Sequence, residues 1–266
     1  VRALASLLAA LLCLAGCGTK APADGKHERV LFVGNSLTYV GNLPAVFAAM
    51  ANANGHAIES DMIVRGGASL TEPLKDGSIA RALDGRRYAA LVLQERGGDL
   101  LCGFGPESCA DSSASLKAIA RMAKEKGVAS VVLLGTYQSM PSVSKVIVER
   151  EGAAADEAGI AYVEVSQTLQ RLGGAQPALV WFDADGMHPG KDLTLLEAML
   201  LHRQLFGALP AAQALVVDGP IYGVQSGLTG TLRAADAPAP KADTPRSIAY
   251  SADTTRSLLD ALSADR

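Results

Sequence analysis

The strongest constraint on this chain is a repeated exchange between two hydrophobic periods. Val30-Leu31-Phe32-Val33 is short, apolar and partly β-branched, and it breaks at Gly34, the pattern of a strand buried on both faces. Comparable runs follow at Ala57 to Val64, Ala89 to Leu93, Ala129 to Leu134 and Ile160 to Val165. Between them lie stretches with helical spacing over 43–53, 115–126 and 144–158, and a further helix is expected over 192–206 with Leu195, Leu196, Met199 and Leu200 on one stripe. Alternation of this kind predicts an α/β fold of three layers, α/β/α, around a parallel five-stranded sheet with right-handed crossovers. Ligands of such sheets bind beyond the carboxyl ends of the strands. Motifs at strand exits therefore carry the most weight.

A chain of 266 residues, about half hydrophobic, has room for one substantial core with a leader and a tail. The leader has one positive charge at Arg2, an apolar stretch from Ala3 to Leu14, and then Leu14-Ala15-Gly16-Cys17. That stretch is short for a bilayer span and is followed by small residues, as in a cleaved signal peptide. The tetrad resembles the bacterial lipobox, which implies cleavage after residue 16, lipidation of Cys17 and an exported protein anchored to the cell envelope. Gly18 in place of aspartate implies the outer membrane, facing the periplasm. Residues 17–28 read as a polar tether, 29–230 as the folded domain, and 231–266 as an Ala/Pro-rich linker and tail with a short helix over 254–262.

Four cysteines are present. Cys13 leaves with the leader and Cys17 carries lipid, so an oxidising compartment allows Cys102 and Cys109 to pair across a short loop, with two free thiols as the alternative. No histidine or second cysteine pair stands at zinc-ligand spacing beside them, and neither a metal nor a cofactor is expected. A net charge of −3 without a basic run argues against a nucleic-acid partner.

Two clusters can carry chemistry. Gly34-Asn35-Ser36-Leu37-Thr38 follows the first strand directly, which puts Ser36 at the sheet's carboxyl edge, although a serine there also suits a helix cap. Late in the chain, Asp183-Ala184-Asp185-Gly186-Met187-His188-Pro189 places a carboxylate three residues before a histidine around a glycine. A turn there brings Asp185 to one imidazole nitrogen and leaves the other for a hydroxyl, the division of labour a serine nucleophile needs. Asp183 competes for the orienting role.

These two blocks, Gly-Asn-Ser early and Asp-x-x-His-Pro late, resemble those of the SGNH, or GDSL-type, hydrolases, over roughly 29–206 in block order and strand alternation. The resemblance implies a flavodoxin-like layering, Ser36 as nucleophile, His188 as general base and then acid, and Asp185 as its orienting partner. The family's second block supplies an oxyanion-binding backbone NH, and Arg65-Gly66-Gly67-Ala68-Ser69 stands in its place, with Gly67 the first choice and Gly66 beside it. The third block, usually Gly-x-Asn-Asp, is replaced by Leu93-Gln94-Glu95-Arg96-Gly97-Gly98-Asp99. With Asp99 in register, Gly98 occupies the asparagine's position. Gln94, at the strand end, is then the expected substitute donor, with a role in its own loop as the alternative; Arg96 is a candidate contact for an anionic group.

Taken together, the sequence predicts a serine esterase or deacetylase working through an acyl-enzyme on an ester-bearing small molecule, glycan or lipid. Acyl transfer to a hydroxyl would use the same residues. A glycan-binding or envelope-assembly lipoprotein on the same fold is the alternative from another class, motivated by the missing asparagine.

Overall fold

The computed structural model describes residues 27–138 and 140–264. The leader, Cys17 and all of the tether before His27 lie outside the described residues. Five strands run parallel: β1 (Glu28–Gly34), β2 (Ile58–Val64), β3 (Ala90–Leu93), β4 (Ser130–Leu134) and β5 (Ala161–Val163). They are ordered β5-β4-β3-β1-β2, so β1 lies inside the sheet with β2 on one side and β3 on the other. That position explains its unbroken apolar run. Val30 and Phe32 enter one core and Leu31 and Val33 the other, as the two-residue period of a strand requires.

Nine helices are present among the described residues: α1 (Ser36–Tyr39), α2 (Leu43–Ala53), α3 (Thr71–Lys75), α4 (Ser78–Gly85), α5 (Pro106–Glu125), α6 (Pro141–Ala158), α7 (Ser166–Ala175), α8 (Lys191–Phe206) and α9 (Ala252–Ser263). The first core joins the sheet to α2, α7, α8 and α9, and the second joins it to α4, α5 and α6. The three-layer α/β/α architecture follows. α5 starts at Pro106, nine residues before the expected 115, because its polar first turns show no apolar stripe while proline suits the first helical position. Among the described residues, no helix is long and apolar enough to cross a membrane.

The expectation of a linker after residue 230 is corrected. Within it, β7 (Arg233–Ala234) pairs antiparallel with β2, adding a sixth strand at that edge, and β8 (Ser247–Tyr250) pairs with β6 (Leu215–Asp218) in a separate ribbon. The attachment combines backbone pairing, which leaves no mark on composition, with apolar contacts of Ala235, Tyr250, Leu258, Leu259 and Leu262 in the first core. Ala235 N–H donates to Ser60 O, and Gly219 and Ile221 N–H donate to the carbonyls of Arg246 and Pro245. Asn42, fully buried in the left-handed conformation at φ 57°, donates its amide to Pro220 O at 2.7 Å and Ala235 O at 2.9 Å. Asn tolerates that conformation better than most residues.

One buried carboxyl ties a helix to a strand exit. Glu151 of α6 accepts from the Thr136 amide at 3.0 Å and the Thr136 hydroxyl at 2.5 Å, just after β4. Burial pushes its pKa from 4.5 up to about 7. A raised folded-state pKa means the folded protein holds the proton more tightly, so this contribution is complete below pH 4.5 and declines as pH rises through about 7. Denaturant titrations across that range should show stability falling with pH, and Glu151→Gln should reduce the slope.

Candidate active site

The nucleophile candidate follows β1 through a tight exit. Asn35 caps α1, its side-chain oxygen accepting from Leu37 N–H at 3.0 Å and its amide donating to Gln94 O at 3.3 Å. Asn35 thus holds the turn while Ser36, the next residue, faces a cleft of about 650 Å³. Gly34 is required here, because a Cβ would run into the Thr38 hydroxyl and approach Gln94 O to 3.2 Å.

The histidine arrives from a separate turn. Phe182 and Pro189 form an antiparallel bridge, Asp183 N–H donates to His188 O at 2.9 Å, and Gly186 N–H donates to Asp183 O at 2.9 Å. Gly186 takes φ 68° at the bend, a conformation glycine adopts freely. Asp185 then folds back on the same turn, accepting from the amides of Met187 and His188 at 2.9 and 3.0 Å. Its other oxygen lies 2.5 Å from His188 Nδ1, and His188 Nε2 lies 2.9 Å from Ser36 Oγ. With the imidazole proton on Nδ1, Ser36 donates to Nε2. Backbone donation by His188 and Met187, then the imidazole contact, lowers the Asp185 pKa to about 2. Asp183 is engaged instead with Ala184 N–H at 2.8 Å, so Asp185 is the carboxylate on the histidine.

Gly66 and Gly67 line the same cleft, and Gly67 has φ 69°. Gln94 is a correction. It is only 1% exposed, its carbonyl oxygen accepts from the Thr38 hydroxyl at 2.7 Å, and its amide donates to Glu197 Oε1 at 3.3 Å. Its side chain is thus engaged beneath the site, and Gln94 is not among the residues that line the cleft. Glu197, in the middle of α8, is itself fully buried, and burial raises its pKa well above the usual carboxylate range. A carboxyl held toward its neutral form suits an interior with no cation on it.

Arg96 does not stand free for an anionic ligand. It makes a two-point contact with Asp99 at 3.0 and 2.8 Å, and its third nitrogen reaches Gly67 O at 3.4 Å. Buried Glu95 ties the same two loops, accepting from Leu70 N–H at 2.8 Å and Arg96 N–H at 3.0 Å. Burial raises its pKa to about 7. Cys102 and Cys109 are joined by a disulfide. Neither Glu197 nor the Glu95 tie was expected from the sequence; the one available signal for Glu197 was a lone acid in the apolar run from Leu193 to Leu201.

A larger depression elsewhere does not compete for the chemistry. It measures about 810 Å³ and lies around His27, Arg87 and Lys126, away from Ser36 and His188. Among the described residues, no group of three or more His, Cys, Asp or Glu side chains could hold a metal ion.

No family model matches the chain, and no curated protein matches it. Solved structures do. A variant of an acetyl xylan esterase from Geobacillus stearothermophilus superposes with a TM-score of 0.52 at 14% identity, covering 67% of this chain and 94% of that one. A lipase/acylhydrolase from Enterococcus faecalis gives 0.52 at 15% identity, covering 69% and 98%. An alpha/beta hydrolase enzyme from the metagenome of Lake Arreo, Spain, gives 0.54 at 15% identity, covering 69% and 97%. At these identities the likeness establishes a shared fold, a mostly parallel sheet between helical layers.

The Thr38 hydroxyl should matter to stability. Thr38→Val leaves the buried Gln94 oxygen without its donor and is expected to cost about 1–3 kcal/mol, measured by urea unfolding against the unsubstituted protein.

Proposed function

We propose that the protein is a serine hydrolase that cleaves acyl esters, with Ser36 as nucleophile, His188 as base and Asp185 as the carboxylate that orients it. The observation that carries this reading is His188 bridging Asp185 and Ser36 at 2.5 and 2.9 Å inside a cleft at the sheet's carboxyl edge. Ester-cleaving neighbours on the same fold support it, as does the resemblance of the two motif blocks to the SGNH hydrolases.

Ser36 Oγ attacks the acyl carbonyl carbon while His188 Nε2 takes its proton. The anionic Asp185 stabilises the resulting imidazolium. Charge developing on the carbonyl oxygen is received by backbone N–H groups of Ser36 and Gly67, both of which line the cleft. Fixed donors aimed at that oxygen supply much of the rate enhancement in acyl transfer. The imidazolium protonates the departing alcohol, and water activated by His188 then releases the acid from the acyl-enzyme.

Purified protein should hydrolyse short-chain aryl esters. Ser36→Ala should abolish turnover, and Asp185→Asn should lower kcat by roughly 10²–10⁴-fold with the fold retained by circular dichroism. Unchanged turnover in Ser36→Ala would overturn the assignment.

The proposed substrate is an ester on a carbohydrate or lipid near the cell envelope, where the leader would export the protein and Cys17 would carry the lipid anchor. In a bacterial host, an alkyne fatty acid supplied in the medium should label the full-length protein, and Cys17→Ser should abolish both labelling and membrane association.

A further inference from the structure

A contiguous apolar wall extends from the nucleophile toward the disulfide loop. Leu37, the residue after Ser36, lies against Gly97, where a Cβ would stand 3.8 Å from Leu37 Cδ1. Beside it, Gly98 backs onto Phe104, whose ring would be 3.6 Å from a Cβ there. Leu37, Gly97 and Phe104 all line the cleft that holds Ser36. Phe104 is 53% exposed, so its ring is accessible from that cleft.

The ring is held firmly for an exposed one. Its other face lies under the Arg96 guanidinium, 3.6 Å from the ring centroid. Arg96 is fixed by Asp99, which also accepts from the Ser108 hydroxyl at 2.8 Å inside the loop. The loop is closed by the Cys102–Cys109 disulfide and by Gly103 N–H donating to Gly98 O at 2.9 Å. Such a loop loses little conformational freedom when a ligand packs on it.

Two polar groups along the cleft are already engaged, while the buried Tyr137 hydroxyl, which also lines it, has no hydrogen-bond partner among the described residues. The Tyr39 hydroxyl donates to Val224 O at 3.0 Å, and the Arg96 charge is balanced by Asp99. Because His188 must reach the leaving oxygen, the alcohol portion lies on the histidine side. The Leu37–Phe104 wall is left for the acyl portion.

We infer that Phe104, positioned by Arg96 and the Cys102–Cys109 disulfide, forms the acyl-binding wall, and that the protein prefers esters whose acyl chain extends beyond acetyl. This rests on the ester-hydrolase reading. The test is kcat/KM on 4-nitrophenyl acetate, butyrate and hexanoate. The expected result is a rise of about fourfold per added methylene, the gain from burying one such group. Phe104→Ala should flatten the series to less than about twofold overall, and Phe104→Leu, which keeps an apolar wall, should retain most of the slope. A Cys102→Ser/Cys109→Ser double variant should also flatten it.

Acetate as the best substrate, with turnover still dependent on Ser36, would overturn the acyl wall and leave the hydrolase reading intact. An unchanged slope in Phe104→Ala would do the same, and an unchanged slope in the double variant would remove the disulfide from the account. Absence of Ser36-dependent turnover on every ester would overturn both readings.

Discussion

The site depends on how closely Thr38 and Gln94 pack against the α carbon of Gly34. No side chain fits at the end of β1, so α1 can turn back over the sheet edge and present Ser36 outward. Beneath that turn, Thr38 donates to Gln94 and Gln94 donates to Glu197, linking the helix that begins at Ser36 to β3 and α8. Polar groups with so little exposure are tolerable only when paired. The tier therefore ties the height and angle of α1 to elements far away in sequence.

Other distant segments converge on the same place. The hairpin carrying Asp185 and His188 enters α8 at Gly190, where a Cβ would collide with the backbone of Val180 and Phe182. Gly41 N–H donates to Tyr222 O and the Tyr39 hydroxyl donates to Val224 O, so the segment after residue 218 braces the helix that begins at Ser36. Arg96 and Glu95 join the loops after β2 and β3. A rigid scaffold with braced loops meets the positional demands of the proposed acyl transfer.

Much of this was legible in the sequence. The five parallel strands and α2, α6 and α8 were visible as period changes, because burial on both faces of a sheet leaves unbroken apolar runs. Ser36, Asp185 and His188 were candidates through the resemblance of their two motif blocks to the SGNH hydrolases, and for Asp185 and His188 also through a three-residue spacing that suits a local turn. Gln94 was misjudged: strand-end position says where a side chain starts, whereas Thr38 and Glu197, 56 and 103 residues away in sequence, decide which way it faces. The C-terminal attachment was hidden for a related reason. Between residues 231 and 246 it is made by backbone hydrogen bonds and by Asn42, which produce no hydrophobic period, whereas Tyr250, Leu258, Leu259 and Leu262 beyond it enter the first core. α7 escaped notice because Gly173 and Gly174 break its pattern.

In the proposed reaction, His188, oriented by Asp185, makes the Ser36 hydroxyl nucleophilic. The most direct measurement is the rate of covalent modification by a small fluorophosphonate, located by mass spectrometry of peptides at neutral pH. A single adduct on Ser36 is expected, with the rate falling at least about 10²-fold in His188→Ala, since general-base assistance is worth about that much or more. Modification of a different serine, or an equal rate in His188→Ala, would contradict the account.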